Sequence, residues 1–154
     1  MRAILTRVKS ASVTIDGEVA GKIGKGFLIL LGVGPEDTEK ECRCLAEKAL
    51  GLRVFTDEND KMNLGLEAVD GQVLVVSQFT LYGNCRKGRR PSFAEAAGPE
   101  LGEQLYEKFL EICTELGYPP QHGRFGADMQ VESINDGPVT LILDTDQLMN
   151  TPRR

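Results

Sequence analysis

Residues 2–31, RAILTRVKSASVTIDGEVAGKIGKGFLILL, read as three strands in succession. Val8, Val13 and Ile15 stand among polar neighbours, a pattern of extended chain with one face buried. Asp16-Gly17 is a tight-turn pair, and Glu18 to Ile23 returns as the second arm of a hairpin. Gly24-Lys25-Gly26 turns the chain again. The run Phe27-Leu28-Ile29-Leu30-Leu31 has no polar face, the mark of a strand covered on both sides.

Outward from this segment, helices and strands continue to alternate. Thr38 and Glu41 have capping-box spacing, and Cys42, Leu45, Ala49 and Leu52 follow at helical intervals. Leu52 to Phe55 leaves that helix as a strand, and Thr56 to Asn63 is a polar loop. Asp70-Gly71 predicts a second hairpin turn before Gln72 to Leu81, the strongest strand of the chain. Residues 83–91 form a glycine-rich, basic loop. Ser92 and Glu95 predict a short helix that Gly98-Pro99 interrupts. Pro99 opens a second long helix, with Leu101, Leu105, Phe109, Ile112 and Leu116 on its buried face and Gly117 at its end. Ala127, Met129 and Val131 alternate with polar residues as a half-buried strand. Asn135-Asp136-Gly137-Pro138 then reads as a tight connection into a last strand, Val139 to Leu143. The predicted architecture is a single α+β domain over residues 1–145. It comprises a mainly antiparallel β-sheet or partial barrel with two substantial helices packed on one side, and residues 146–154 form an unpatterned tail.

Composition narrows the function. The 154 residues are 41% hydrophobic and 27% charged, an ordinary globular balance, and no segment approaches the ~18 apolar residues of a membrane span. The first residues read as a strand and not as a signal peptide, which points to a cytoplasmic protein. A formal net charge of −5 excludes a general nucleic-acid binder, although a local basic patch can still hold RNA. The single histidine, His122, sits in a loop rich in Gly and Pro and reads as solvated; a mechanism built on several histidines is excluded within one chain. Cys42, Cys44, Cys85 and Cys113 make no C-x-x-C pair and read as free thiols. No cluster of His, Asp or Glu has metal-ligand spacing, so neither a metal nor another cofactor is expected.

Two features remain as candidates for chemistry. In Ser77-Gln78-Phe79-Thr80-Leu81 an apolar strand abruptly turns polar, and strand ends are where a rigid scaffold offers backbone N–H groups to a ligand. A strand end with routine hydrogen bonds reads equally well. Arg86-Lys87-Gly88-Arg89-Arg90 puts four cations in five positions of an acidic chain. Such a loop either holds RNA phosphates or is a solvated basic face.

These blocks, with Lys87-Gly88-Arg89-Arg90-Pro91-Ser92-Phe93, Phe125-Gly126-Ala127-Asp128-Met129-Gln130-Val131 and Asn135-Asp136-Gly137-Pro138-Val139-Thr140, resemble the D-aminoacyl-tRNA deacylase family in order and spacing. The opening segment through Val13, with its basic Arg7, is similar too. The likeness runs to about residue 145; Gln121-His122-Gly123 and the tail depart from it. The resemblance implies a homodimeric hydrolase with active sites at the subunit interface. It would cleave the ester between a D-amino acid and the 3′-terminal ribose of tRNA, with glycyl-tRNA as a further substrate. It implies that Ser77, Gln78, Phe79 and Thr80 form the catalytic segment. Phe93, Met129, Gly137 and Pro138 would bind substrate, and Arg86, Lys87, Arg89 and Arg90 would bind tRNA. Gly137-Pro138 looks like the family's Gly-cisPro motif, which reaches into the neighbouring subunit's pocket and rejects L-residues. Backbone N–H groups near Ser77 and Phe79 would receive the developing oxyanion, and the ribose 2′-OH would stand in for a protein base. Thr80 is a candidate nucleophile with no base nearby to activate it. Two other readings compete: an RNA-binding module of the same fold without turnover, and an esterase acting on small metabolites without tRNA.

Overall fold

The structure, a computed structural model, describes residues 1–150. Strands β1 (Arg2–Ile15), β2 (Glu18–Ile23) and β3 (Gly26–Gly32) follow as the opening segment predicts. Asp16 and Gly17 both have positive φ, 50° and 80°, which matches the twist of a two-residue hairpin. Gly26 is needed for a different reason: a Cβ there would lie 1.8 Å from the carbonyl oxygen of Gln72 on the neighbouring strand. Helix α1 (Glu39–Gly51) starts at the expected cap, where Thr38 N–H donates to Glu41 at 2.8 Å and the Thr38 hydroxyl accepts from Lys40 N–H at 3.2 Å. A two-stranded ribbon, β4 (Phe55–Thr56) with β5 (Met62–Leu64), leads to β6 (Gln72–Ser77). Helix α2 (Pro99–Glu115) has Pro99 in its first turn. After it come β7 (Gln121–His122), β8 (Gln130–Asp144) and helix α3 (Thr145–Asn150).

The main sheet runs β2-β1-β3-β6-β7, with β8 on the other side of β1. β1 pairs antiparallel with β2, β3 and β8, but β3–β6 and β6–β7 are parallel, so the nearly closed sheet is mixed. The parallel pair has a plain cause: α1 lies between β3 and β6, and a helical crossover returns the chain in the same direction. Both long helices pack together, and Cys42 Sγ of α1 lies 3.4 Å from the carbonyl of Leu105 on α2. Their side of the sheet carries the larger core, including Leu5, Phe27, Ile29, Val75, Leu45, Tyr106 and Phe109. The opposite face of the same strands forms a second core of Val8, Val13, Leu28, Leu74 and Val76, with Met129 against it. β3 and β6 are thus buried on both faces, which is why their sequences are continuous apolar runs.

Several expectations need correction. Asp70-Gly71 is no hairpin: Asp70, at φ 51°, caps a single 3-10 turn (Glu67–Val69), and β6 pairs with β3 instead. The strand predicted to Leu81 stops at Ser77, and Phe79–Tyr82 winds into another 3-10 turn. Residues 92–97 form no helix, because Ser92 is tied by its backbone to Asn84. The residues around Gly137-Pro138 do not connect two strands; they bulge from one long strand, β8, whose two halves both pair with β1. Just before the predicted tail, Thr145 is buried and its N–H donates to Met1 O at 2.9 Å, and α3 starts there and takes in residues 146–150 of that tail; residues 151–154 lie outside the described residues.

Candidate active site

At the end of β6 the ladder to β3 continues one residue past the strand, as Gln78 N–H donates to Leu31 O at 2.7 Å. Gln78 then takes φ −148° and ψ 77°, and the chain turns into the 3-10 helix. The first N–H groups of a helical turn have no partner within it. Here those of Phe79 and Thr80 meet no acceptor among the described residues, whereas Leu81 N–H is satisfied by Gln78 O at 3.2 Å. Two adjacent donors therefore stand free at an exposed strand end. The Gln78 side-chain amide donates to the Thr80 hydroxyl oxygen. An amide cannot take a proton from that hydroxyl, so nothing beside Thr80 activates it as a nucleophile. The buried thiols offer no alternative: burial pushes Cys42 and Cys113 up to about 12.

Recesses open on both sides of this segment. One, of about 350 Å³, is lined by Ser77, Phe79, Phe93, Ala96, Ala97, Pro99, Phe125 and Gly126. Phe79 and Phe93 meet edge-on across its mouth at 5.3 Å, and both are well exposed, 56% and 40%. Phe125 forms its floor by leaning on α2, where a Cβ on Gly102 would come within 3.1 Å of the ring. The other recess, about 270 Å³, is lined by Ser77, Gln78, Phe79 and the stretch Gly126–Met129, with Val76 and Val131. Met129 packs over Gly123, a position where any side chain would collide with its sulfur. The structure thus brings Ser77, Gln78, Phe79, Phe93 and Met129 together around the two recesses, while Thr80, bonded to Gln78, lines neither.

Two groups of candidate residues lie apart from that cluster. Arg86, Lys87 and Arg90 line their own recess with Asn84 and Ser92, while Arg89 is outside its lining. Gly137 and Pro138 are exposed on the β8 bulge and line neither recess beside Ser77; the peptide bond between them is cis. The bulge is held by Arg7, one of only two buried polar residues among the described residues, at 7% exposed. Between the pairs Thr6–Thr140 and Val8–Asn135, Arg7 alone faces the four residues Asp136 to Val139. Its Nε donates to Asp136 O at 3.0 Å and lies 3.3 Å from the Asp136 carboxylate, and its Nη1 donates to Val54 O at 2.5 Å. Asn135 Nδ2 closes the other side, donating to Arg7 O at 2.9 Å and Val139 O at 3.3 Å. Arg7 is a positioning residue that the sequence reading named as part of the resemblance but gave no role. Its signal was a cation in phase with Ala3 and Leu5, which face the larger core from β1.

Among the described residues no group of three or more His, Cys, Asp and Glu side chains is placed to hold a metal ion, and no helix is long and apolar enough to cross a membrane. Free N–H donors at a strand end, without an activated side-chain nucleophile, suit a hydrolase of already reactive esters. The chain belongs to the D-Tyr-tRNA(Tyr) deacylase family, whose model matches residues 4–144. It is 59% identical over 145 residues to a D-aminoacyl-tRNA deacylase of Desulfatibacillum aliphaticivorans, covering 94% of this chain and 99% of that one. It is 54% identical to the D-aminoacyl-tRNA deacylase of Geobacter sulfurreducens, covering 94% and 95%. Among solved structures, a c-Myc DNA unwinding element binding protein superposes with a TM-score of 0.88 at 43% identity, over 94% of this chain and 98% of that one. A probable eukaryotic D-amino acid tRNA deacylase superposes at 0.79 with 17% identity over 92% and 97%, a likeness of fold alone.

Proposed function

We propose that the chain is a D-aminoacyl-tRNA deacylase, and that the ester is cleaved over the free N–H groups of Phe79 and Thr80. Water adds to the ester carbonyl, the developing oxyanion accepts from those two donors, and the carbon–oxygen bond to the ribose breaks. The ribose oxygen leaves with a proton, giving a free D-amino acid and a tRNA with both terminal hydroxyls restored. The 2′-OH beside the ester handles the proton, with Asp128 the one carboxylate among the residues lining the two recesses. The observation that carries this reading is the pair of unpartnered N–H groups of Phe79, which lines both recesses, and of Thr80, whose hydroxyl is bonded to the Gln78 amide. Pre-aligned donors of this kind are worth roughly 10²–10³ in rate each. The recess with Phe79, Phe93 and Phe125 suits a flat base, and so takes the terminal adenine. The decisive assay compares matched D- and L-aminoacyl-tRNA. Release of the D-amino acid at least ~100-fold faster than the L-amino acid is expected, the range over which steric exclusion discriminates well. Equal rates, or a chain that binds charged tRNA and leaves both esters intact, would remove the proposal.

Enantioselectivity on this reading needs a second chain. Gly137 and Pro138 stand clear of their own Ser77 site, yet β8 is a 15-residue strand paired on one side only. Its exposed Val131, Ile134 and Ile142 add an apolar face to that open edge. Long open edges and apolar faces are normally covered, and a second copy related by twofold symmetry covers both. Such a partner would carry its own Gly137-Pro138 toward the Ser77 recess. The two carbonyls would hold the substrate's α-ammonium there, leaving room for the side chain of a D-residue, or for the hydrogen of glycine, and none for an L-residue. Light scattering is expected to give a particle of two chains; a fully active particle of one chain would rule this arrangement out.

A further inference from the structure

The loop from Asn84 to Ser92 is a closed structure. Asn84 and Ser92 exchange backbone hydrogen bonds of 2.7 and 2.9 Å at its neck. Asn84 Oδ1 accepts from Arg86 N–H at 3.0 Å, which fixes the start of the basic run, and Gly88, at φ +59°, turns the chain back. The result is a recess of about 350 Å³ with Arg86, Lys87 and Arg90 around it and no carboxylate among its lining residues. None of these cations, nor Arg89, is in an ion pair among the described residues, although Arg2, Arg7, Arg43 and Lys108 all are. In a chain of net charge −5, convergent cations left without counter-charges mark a site for an external anion. Planar guanidinium groups suit the two free oxygens of a phosphodiester.

Position identifies which phosphate. The loop grows directly out of the candidate active site: Asn84 is four residues past Thr80, and Ser92 precedes Phe93 of the adjoining recess. Four residues span at most ~14 Å, a distance covered by the few unpaired nucleotides before the terminal adenosine and not by the paired stem beyond them. We propose that the Asn84–Ser92 recess binds a phosphodiester of the single-stranded 3′ end of the tRNA, through Arg86, Lys87 and Arg90, with Arg89 outside the contact. This rests on the deacylase reading and adds to it: the unit recognised is the unpaired terminal strand.

The test compares D-aminoacyl-adenosine with the D-aminoacyl ester of the trinucleotide cytidylyl-cytidylyl-adenosine. Wild-type protein is expected to have a kcat/KM about 10-fold higher on the trinucleotide, the worth of one or two charge-assisted contacts. That advantage should fall with salt, with a log–log slope of about −0.7 per phosphate bound. Arg86→Gln with Arg90→Gln should abolish both the advantage and its salt slope, Arg89→Gln should lose no more than ~3-fold of it, and Lys48→Gln on α1 should retain it. An advantage absent from wild type, surviving the double substitution, or appearing only with full-length tRNA would overturn the proposal. Failure of the deacylase reading would show separately, as no hydrolysis of either ester. Equilibrium binding of the uncharged trinucleotide, with the same variants, then reads the recess without turnover; binding equal in wild type and the double variant refutes it.

Discussion

Replacing Arg7 by Ala is expected to lower kcat/KM on D-aminoacyl-tRNA by about 100-fold or more and to cost roughly 2–4 kcal/mol of stability. The guanidinium is buried and joins three acceptors from two parts of the chain: the carbonyl and carboxylate of Asp136, and the carbonyl of Val54. Without it, the four residues Asp136 to Val139 lose their support on β1, and the carbonyls of Asp136 and Val54 lose their side-chain donor. The activity loss follows from position, because a displacement of about 1 Å at a positioning group can cost 10²-fold. Arg7→Lys keeps the charge and loses the fork, so it should recover more stability than activity. Thermal unfolding and deacylation kinetics, measured on both variants, separate the two effects. A folded Arg7→Ala protein with wild-type kcat/KM would show that the bulge has no part in the site.

The second large effect concerns the substrate. A D-aminoacyl-tRNA ending in 2′-deoxyadenosine is expected to be hydrolysed at least ~100-fold more slowly than its ribose counterpart, the usual worth of a proton-transfer group. Thr80→Ala should stay within ~5-fold of wild type. The contrast follows from the site: the Thr80 hydroxyl meets only the Gln78 amide, which accepts no proton, while the N–H groups of Phe79 and Thr80 survive the substitution. Loss of activity in Thr80→Ala with the fold intact, together with undiminished cleavage of the deoxy substrate, would restore Thr80 as the nucleophile.

Sequence and structure divide the information unevenly. Periodicity and turn chemistry alone determined the opening hairpin, the capped start of α1, the proline start of α2 and the doubly buried strands, because each depends on residues close together in the chain. The same is true of the polar break after Val76 and the basic run after Cys85. Three matters were decided only by the tertiary structure. The direction of β6 depends on a crossover through α1, so a local turn signal at Asp70-Gly71 misled. The end of β6 at Ser77 depends on where its ladder to another strand, β3, runs out, just after Gln78 N–H donates to Leu31 O. The work of Arg7 depends on residues about 130 positions away, which gather around it only when β8 pairs with β1. Local pattern reports which face of an element is apolar. It says nothing about which backbone donors remain unpaired or which distant loop a buried cation must hold, since those are properties of neighbours that the chain acquires only on folding.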